Sequence, residues 1–234
     1  MNLLIKFPSR ERPKRFFEVL NRAQRNRESK DTHFLITLDS NDGNMNNDHV
    51  RKTLELWGNL KYKYGVSKSK VDAVNRDMEI AKEWDIVLLL SDDMYVNTPG
   101  YDRIICEHFE KHFPDTDGIL WINDGYGGKM ERDAKGDVDL SKGINTIVCM
   151  GKKYYERFGF IYNPVYLSLF CDNEYTSLAV AEKRFHYIDE VLIEHRHPMN
   201  SPMYRTFQDN LYRKNDRHYQ QDMKTYNDRK KMVA

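Results

Sequence analysis

Among its 234 residues the chain has no apolar run approaching the length of a bilayer span, so a membrane-crossing enzyme is not expected. Cysteine is scarce. Cys106, Cys149 and Cys171 make an odd set without metal-ligand spacing, which argues against a disulfide scaffold and fits buried thiols in a reducing compartment. Glycine is missing where a phosphate cradle would need it: the loop after the first strand candidate reads Pro8-Ser9-Arg10-Glu11-Arg12-Pro13. The opening Met1-Asn2-Leu3-Leu4-Ile5-Lys6-Phe7-Pro8 is too short and too soon broken for a secretion signal, so the expected location is the cytoplasm. There are no internal repeats and no low-complexity tract.

The length is enough for one sizeable α/β domain or two small ones, and a chain 40% hydrophobic and 31% charged is globular. Its net charge of +1 hides an uneven distribution. Residues 1–30 carry 9 Lys/Arg against 3 Asp/Glu, residues 201–234 carry 8 against 4, and the middle is acidic. An acidic centre suits a cation, and basic ends suit phosphate or another polyanion. A surface coat of Lys and Arg would give the same counts.

The most informative stretch is Trp84-Asp85-Ile86-Val87-Leu88-Leu89-Leu90-Ser91-Asp92-Asp93. Five apolar residues lead into two adjacent carboxylates. The run reads as a strand over 86–90 buried on both faces, with the aspartates where it ends. Ligands of open α/β sheets bind at the carboxyl ends of strands. Two carboxylates there are costly to desolvate unless a cation or hydrogen bonds offset the charge. A divalent metal with a phosphate on its far side meets that need; an exposed loop with solvated aspartates is the plain alternative.

Along the chain, strands are expected at 3–7, 33–38, 60–64, 86–90, 118–123, 146–150, 186–188 and 191–194. Helices are expected at 14–27, 48–57, 70–82, 101–112, 152–158 and 175–181. This alternation predicts an α/β fold with a mostly parallel sheet. Four polar clusters follow or flank the early strands: Ser9-Arg10-Glu11-Arg12, Asp39, the Lys70/Asn75/Arg76 group, and Ser91-Asp92-Asp93. Strand-end placement gathers them on one edge, where cations and a metal can hold a nucleoside diphosphate. In the second half, Cys171-Asp172-Asn173-Glu174 opens a helix, where acidic residues serve either the dipole or general-base chemistry. Glu194-His195-Arg196-His197 offers two imidazoles for a metal, and Asn123-Asp124-Gly125 is one more polar strand end. The segment 125–143 reads as a long loop able to close over a bound donor.

These motifs, in this order and spacing, resemble the nucleotide-sugar glycosyltransferases of the GT-A fold, most of all the large inverting family 2. Leu3–Arg12, Asp39, Lys70–Arg76 and Ser91-Asp92-Asp93 match its donor half. Residues 119–125, 145–158, 171–174 and 195–197 match its acceptor half. The resemblance covers roughly residues 1–200. It implies a domain over 1–200, with a donor half at 1–97 and an acceptor half at 98–200, followed by a polar basic helical tail at 201–234. It implies donor contacts from Pro8, Ser9, Arg10, Arg12, Asp39, Lys70, Arg76 and Asp92. Asp93 would bind Mn²⁺ or Mg²⁺, with His195 or His197 as a further ligand. Asp172 falls at the catalytic base with Glu174 beside it, and Trp121, Asn123 and Asp124 fall on the acceptor side. The chain departs from the family in carrying an adjacent rather than a spaced pair of aspartates. The implied substrates are a nucleotide sugar, UDP-linked by expectation, and an acceptor hydroxyl on a saccharide or on a hydroxymethylated base in DNA. The aromatic and basic tail is compatible with DNA. A nucleotidyltransferase and a non-catalytic nucleic-acid-binding module are the alternatives; the glycine-free first loop argues against the former.

Overall fold

The apolar runs form the strands of one central sheet, seen in a computed structural model that describes residues 1–81, 83–126 and 143–233, the side chains of 232 and 233 excepted. Seven strands lie in the order β3(Leu60–Gly65), β2(His33–Asp39), β1(Leu3–Ser9), β4(Ile86–Leu89), β7(Val148–Gly151), β6(Ile119–Ile122) and β8(Phe185–Ile188). The first four are mutually parallel, β7 runs against both its neighbours, and β8 is parallel to β6. A two-stranded antiparallel ribbon, β5(Met94–Val96) with β9(Ile193–His195), sits beside the end of β4.

Alternation along the strands sorts the core into two layers. On one face Leu3, Ile5, Phe7, Phe34, Ile36, Ile86 and Leu88 pack against α1(Pro13–Asn26), α2(Asp48–Leu54) and α4(Tyr101–His112), which bring Phe16, Leu20, Val50, Ile105 and Phe109. On the other, Leu4, Leu35, Val87, Leu89 and Ile119 pack against α3(Lys70–Asn75), α5(Lys152–Phe158) and α6(Cys171–Ala181) through Val71, Val74, Tyr154 and Tyr175. A buried Leu- or Phe-sized side chain contributes about 1.5–3 kcal/mol, so the sheet's rigidity is set by these two layers and not by the loops. The tail adds α7(Asn210–Asp216) and α8(Tyr219–Val233). Among the described residues no helix is long and apolar enough to cross a membrane.

Two helix boundaries differ from the apolar pattern for identifiable reasons. The helix expected over 70–82 stops at Asn75, because Asp77 adopts a left-handed backbone (φ 70°) and only a 3₁₀ turn, Met78–Ile80, comes after it. Burial of Lys6 explains the break. Its ammonium sits under the sheet and donates to the Arg76 carbonyl (2.7 Å) and to Thr37, whose hydroxyl donates to Asp77 (2.9 Å). α6 begins at Cys171, four residues before the apolar pattern starts and at the acidic segment expected to open it, because Phe170 in a left-handed conformation turns the chain directly into it. Most of the loop expected over 125–143 lies outside the described residues.

Candidate active site

The parallel register dictates what meets at the sheet's carboxyl edge. β1 and β4 end side by side, the Leu90 amide donating to the Lys6 carbonyl (2.9 Å). The chain after β4 therefore turns through Asp92 and Asp93 directly over the loop that leaves β1. Asp92 accepts from Ser9 Oγ (3.2 Å) and from Arg12 Nη1 (2.7 Å). Asp93 accepts from Ser91 Oγ and from Tyr212 Oη (2.6 Å), and its Oδ2 lies 3.6 Å from His195 Nε2. Both carboxylates are 4% exposed, so neither is a solvated loop residue. Burial pushes the Asp92 carboxyl up to about 6 against the pull of Arg12. Burial would raise Asp93 too, but His195, Ser91 and Tyr212 hold it well below the usual carboxylate range. The two neighbours thus have different electrostatic surroundings: Asp92 shares a guanidinium, and Asp93 faces an imidazole and hydroxyls.

Further along the same edge, β2 ends in Asp39. It accepts from Arg10 Nη1 (2.6 Å) and from the Ser67 amide (2.9 Å), with Arg76 Nη2 3.7 Å away. Arg76 also donates to the Leu38 carbonyl (2.5 Å) and lies across Gly65, where an added Cβ would fall on its guanidinium. The loop after β1 is turned by Glu11 in a left-handed backbone, and the Asp42 carboxylate accepts from the Glu11 amide (2.6 Å). Pro8 lies on β1 opposite Thr37 of β2. Lys70 is exposed at the start of α3, which is capped by Ser69 Oγ accepting from the Asp72 amide (3.1 Å). Its charge acts on Cys171, His195 and His197 alike.

The second half divides. His195 is carried to Asp93 by the β5–β9 ribbon, in which Met94 pairs with His195. Its other ring nitrogen lies 3.2 Å from Thr146 Oγ1, which donates to Asp124 (2.9 Å). That chain fixes the ring, as outer-sphere partners do at metal sites. Burial alone would lower His195, but the facing Asp93 and the nearby Asp124 raise it. His197 stands back: its ring meets the Tyr212 ring edge-on at 5.1 Å, its Nδ1 accepts from the Met199 amide (3.2 Å), and burial holds it at about 4. Asp172 is half-buried in the first turn of α6, its Oδ1 accepting from the Asn173 amide (3.0 Å).

Three residues of the second half are engaged elsewhere. Glu174 accepts from Arg229 Nε (2.6 Å), Arg229 Nη2 (3.0 Å), Tyr166 Oη (2.7 Å) and Asn163 Nδ2 (2.7 Å). A carboxylate with four donors is a clamp between α6 and α8, so the structure separates it from Asp172. Trp121 is 2% exposed and packs edge-on against Phe185 and Tyr187, because strand alternation turns it into the core. Asn123 closes its own turn, donating to the Asp189 carbonyl (2.8 Å) and accepting from the Gly125 amide (3.0 Å). Neither is presented to an acceptor.

The tail supplies residues that no local pattern announced. Arg12 holds Asp209 through Nε (2.7 Å) and Nη2 (2.6 Å), and stacks over the Tyr212 ring at 4.1 Å. Asp209 also caps α7, accepting from the Leu211 (3.0 Å) and Tyr212 (3.2 Å) amides. Asp222 is fully buried and accepts from the amides of Leu167 (3.0 Å), Ser168 (2.8 Å) and Leu169 (2.9 Å), just before α6. The expected tail over 201–234 is thus seated on the sheet domain at both the carboxylate pair and the approach to Asp172. Asp209 next to Asn210 is an ordinary cap signal in sequence; its bond to Arg12 has none.

A sheet with four leading parallel strands, an antiparallel seventh, a β5–β9 ribbon and a carboxylate turn after β4 defines the GT-A glycosyltransferase fold. Residues 1–349 of S. aureus TarS superpose with a TM-score of 0.62 at 16% identity, over 86% of this chain and 62% of that one. The mannosyltransferase PcManGT from Pyrobaculum calidifontis, in complex with GDP-Man and Mn²⁺, gives 0.63 at 13%, over 82% and 56%. The 4-diphosphocytidyl-2C-methyl-D-erythritol synthase from Anaerococcus prevotii gives 0.55 at 11%, over 88% and 95%. The chain therefore spans less than two thirds of the TarS and PcManGT structures. TarS 1–349 is also known in complex with UDP-GlcNAc. No family model matches the sequence, and no curated protein matches it. At these identities the fold is what is shared.

Proposed function

We propose that this chain is an inverting glycosyltransferase that moves a sugar from a nucleoside-diphosphate sugar, UDP-linked, to an acceptor hydroxyl on a saccharide. The observation that carries the reading is the meeting of Ser9, Arg12, Asp92, Asp93 and His195 at the carboxyl edge of a GT-A sheet. Asp39, Arg10 and Arg76 line the end of β2, where the base would lie, and Pro8 flanks it. Asp92 and Arg12 face the ribose and sugar, and Lys70 stands by the diphosphate. A buried carboxylate beside an imidazole is a donor set that fits Mn²⁺ or Mg²⁺. Asp93 and His195 would hold the ion, and once bound it neutralises charge on the departing diphosphate. Asp172 takes the acceptor's hydroxyl proton. The freed oxygen forms a bond to the anomeric carbon on the face opposite the diphosphate. The carbon–oxygen bond to the diphosphate breaks with its electron pair, and configuration inverts.

The neighbours support this reading in their complexes, a UDP-sugar in one and a GDP-sugar with Mn²⁺ in another. The test is a screen of nucleotide sugars with Mn²⁺, first for hydrolysis, then with oligosaccharides and with hydroxymethylated DNA. Transfer to an oligosaccharide is the expected outcome; transfer to DNA alone moves the acceptor to the modified base. Release of pyrophosphate from CTP, with no nucleotide sugar consumed, overturns the reading in favour of a nucleotidyltransferase. If alanine at Asp92, Asp93 and Asp172 leaves nucleic-acid binding unchanged and no donor is consumed, the chain is a binding module.

A further inference from the structure

Away from the donor edge, three histidines converge where α4 crosses the outer strand β8. His108 and His112 lie one turn apart on α4, on one face of the helix. His186 points up from β8 beside them. His186 Nε2 is 3.2 Å from His108 Nδ1, and the rings of His112 and His186 stack with centroids 3.5 Å apart and planes 13° off parallel. One ligand atom from each of the three lies within 4.8 Å of the other two, and all three residues are half-buried, open to solvent on one side. Among the described residues, the bond between His108 and His186 is the only side-chain hydrogen bond the trio makes. No carboxylate holds these rings by a hydrogen bond, as one would expect of imidazoles kept for a charge pair.

We propose that His108, His112 and His186 form a Zn²⁺ site that ties α4 to β8, with the fourth position left to water. Imidazole nitrogens at about 2.0 Å from a tetrahedral ion stand about 3.3 Å apart. The His108–His186 pair already has that separation. The stacked His112 ring must turn to aim its nitrogen at the ion, a rotamer change a half-exposed side chain makes readily. Burial lowers all three rings, with the neighbouring imidazoles adding to it at His108 and His186 and Lys111 at each, His186 to about 4. An all-imidazole set selects Zn²⁺ over the hard ions suited to the carboxylate edge.

The experiment titrates the untagged full chain with Zn²⁺ in excess Mg²⁺. One tight equivalent of Zn²⁺ is expected, together with a thermal midpoint that rises with Zn²⁺ concentration. Co²⁺ should give the visible absorption of a four-coordinate ion without a thiolate charge-transfer band. His108→Gln, His112→Gln and His186→Gln should each weaken Zn²⁺ at least about tenfold and abolish the Co²⁺ spectrum. In the unmodified chain, Zn²⁺ should protect these three rings from carbethoxylation by diethyl pyrocarbonate, mapped by mass spectrometry, a readout that needs no variant. Absence of a tight Zn²⁺ equivalent, an unchanged equivalent in the three variants, or equal modification with and without Zn²⁺ overturns the proposal.

Discussion

The two halves of the sheet use the same residue types differently. In the first, strands β3-β2-β1-β4 run parallel, and their polar residues leave the carboxyl ends together: Arg10 pairs with Asp39, and Arg12 pairs with Asp92 next to Asp93. In the second, β7 reverses direction, and most polar residues are consumed by fastening. Glu174 clamps α8, Asn123 closes a turn, and Trp121 fills the core. Among the described residues, Asp172, Asp124 through Thr146, and the His195 ribbon are not consumed in this way. Parallel strands give a common edge at which side chains accumulate for a ligand. An antiparallel partner interrupts that edge, and each residue there must be judged by its own bonds.

The sharpest way to break this contrast is Arg12→Met. It leaves Asp92 buried without its guanidinium and frees Asp209, so about 3–5 kcal/mol of stability should be lost. Donor binding should fall with it, read by urea unfolding and by calorimetric titration of UDP-sugar. A fully stable variant with unaltered binding would mean that the first half's network is decorative. Asp172→Asn comes next: kcat should drop at least about a hundredfold, about 2.7 kcal/mol of barrier, with the thermal midpoint and donor affinity held. Full turnover in this variant removes Asp172 from the base role.

A third test concerns the buried ammonium beneath β1. Burial lowers Lys6 from 10.5 to about 7, with Asp77 opposing. Between those values the unfolded chain carries the extra proton, so stability relative to Lys6→Met should rise with pH, by about 2 kcal/mol from pH 7 to 8.5. Below pH 7 both states are protonated and the difference should be flat. A difference that falls with pH would contradict the burial argument. The smallest effect is expected in the second half. Glu174→Gln should cost about 1 kcal/mol, because Arg229 is partly solvated, with kcat unchanged. A large loss of kcat at full stability would return Glu174 to catalysis.

Strand ends were legible because a buried parallel strand announces itself as an unbroken apolar run, and the residues just beyond it must lie at the edge. Asp39, Asp92 and Asp93 could be placed from that alone, and the start of α6 put Asp172 at a helix N-terminus. Contacts between distant segments were not legible. Arg12 and Asp209 are 197 positions apart and Asp93 and Tyr212 are 119 apart; no periodicity links them. Glu174 looked like a neighbour of Asp172 because sequence gives adjacency, whereas the helix turns the two carboxylates to different partners. The choice between His195 and His197 likewise needed the β5–β9 register, which brings one ring to Asp93 and sets the other against Tyr212. Lys6 stopped α3 early through a carbonyl 70 residues away, a tertiary effect that helix pattern cannot anticipate.

The seating of the tail has a consequence for how the protein is made. Arg12 waits for Asp209, Asp93 for Tyr212, and the amides before α6 for Asp222. A ribosome translating this chain releases the seven sheet strands well before residues 209–222 emerge. The sheet can collapse while its carboxylate edge is still missing those partners. The nascent chain therefore reaches its sheet before its carboxylate edge is fully partnered, and those partners arrive only once residues 209–222 have emerged.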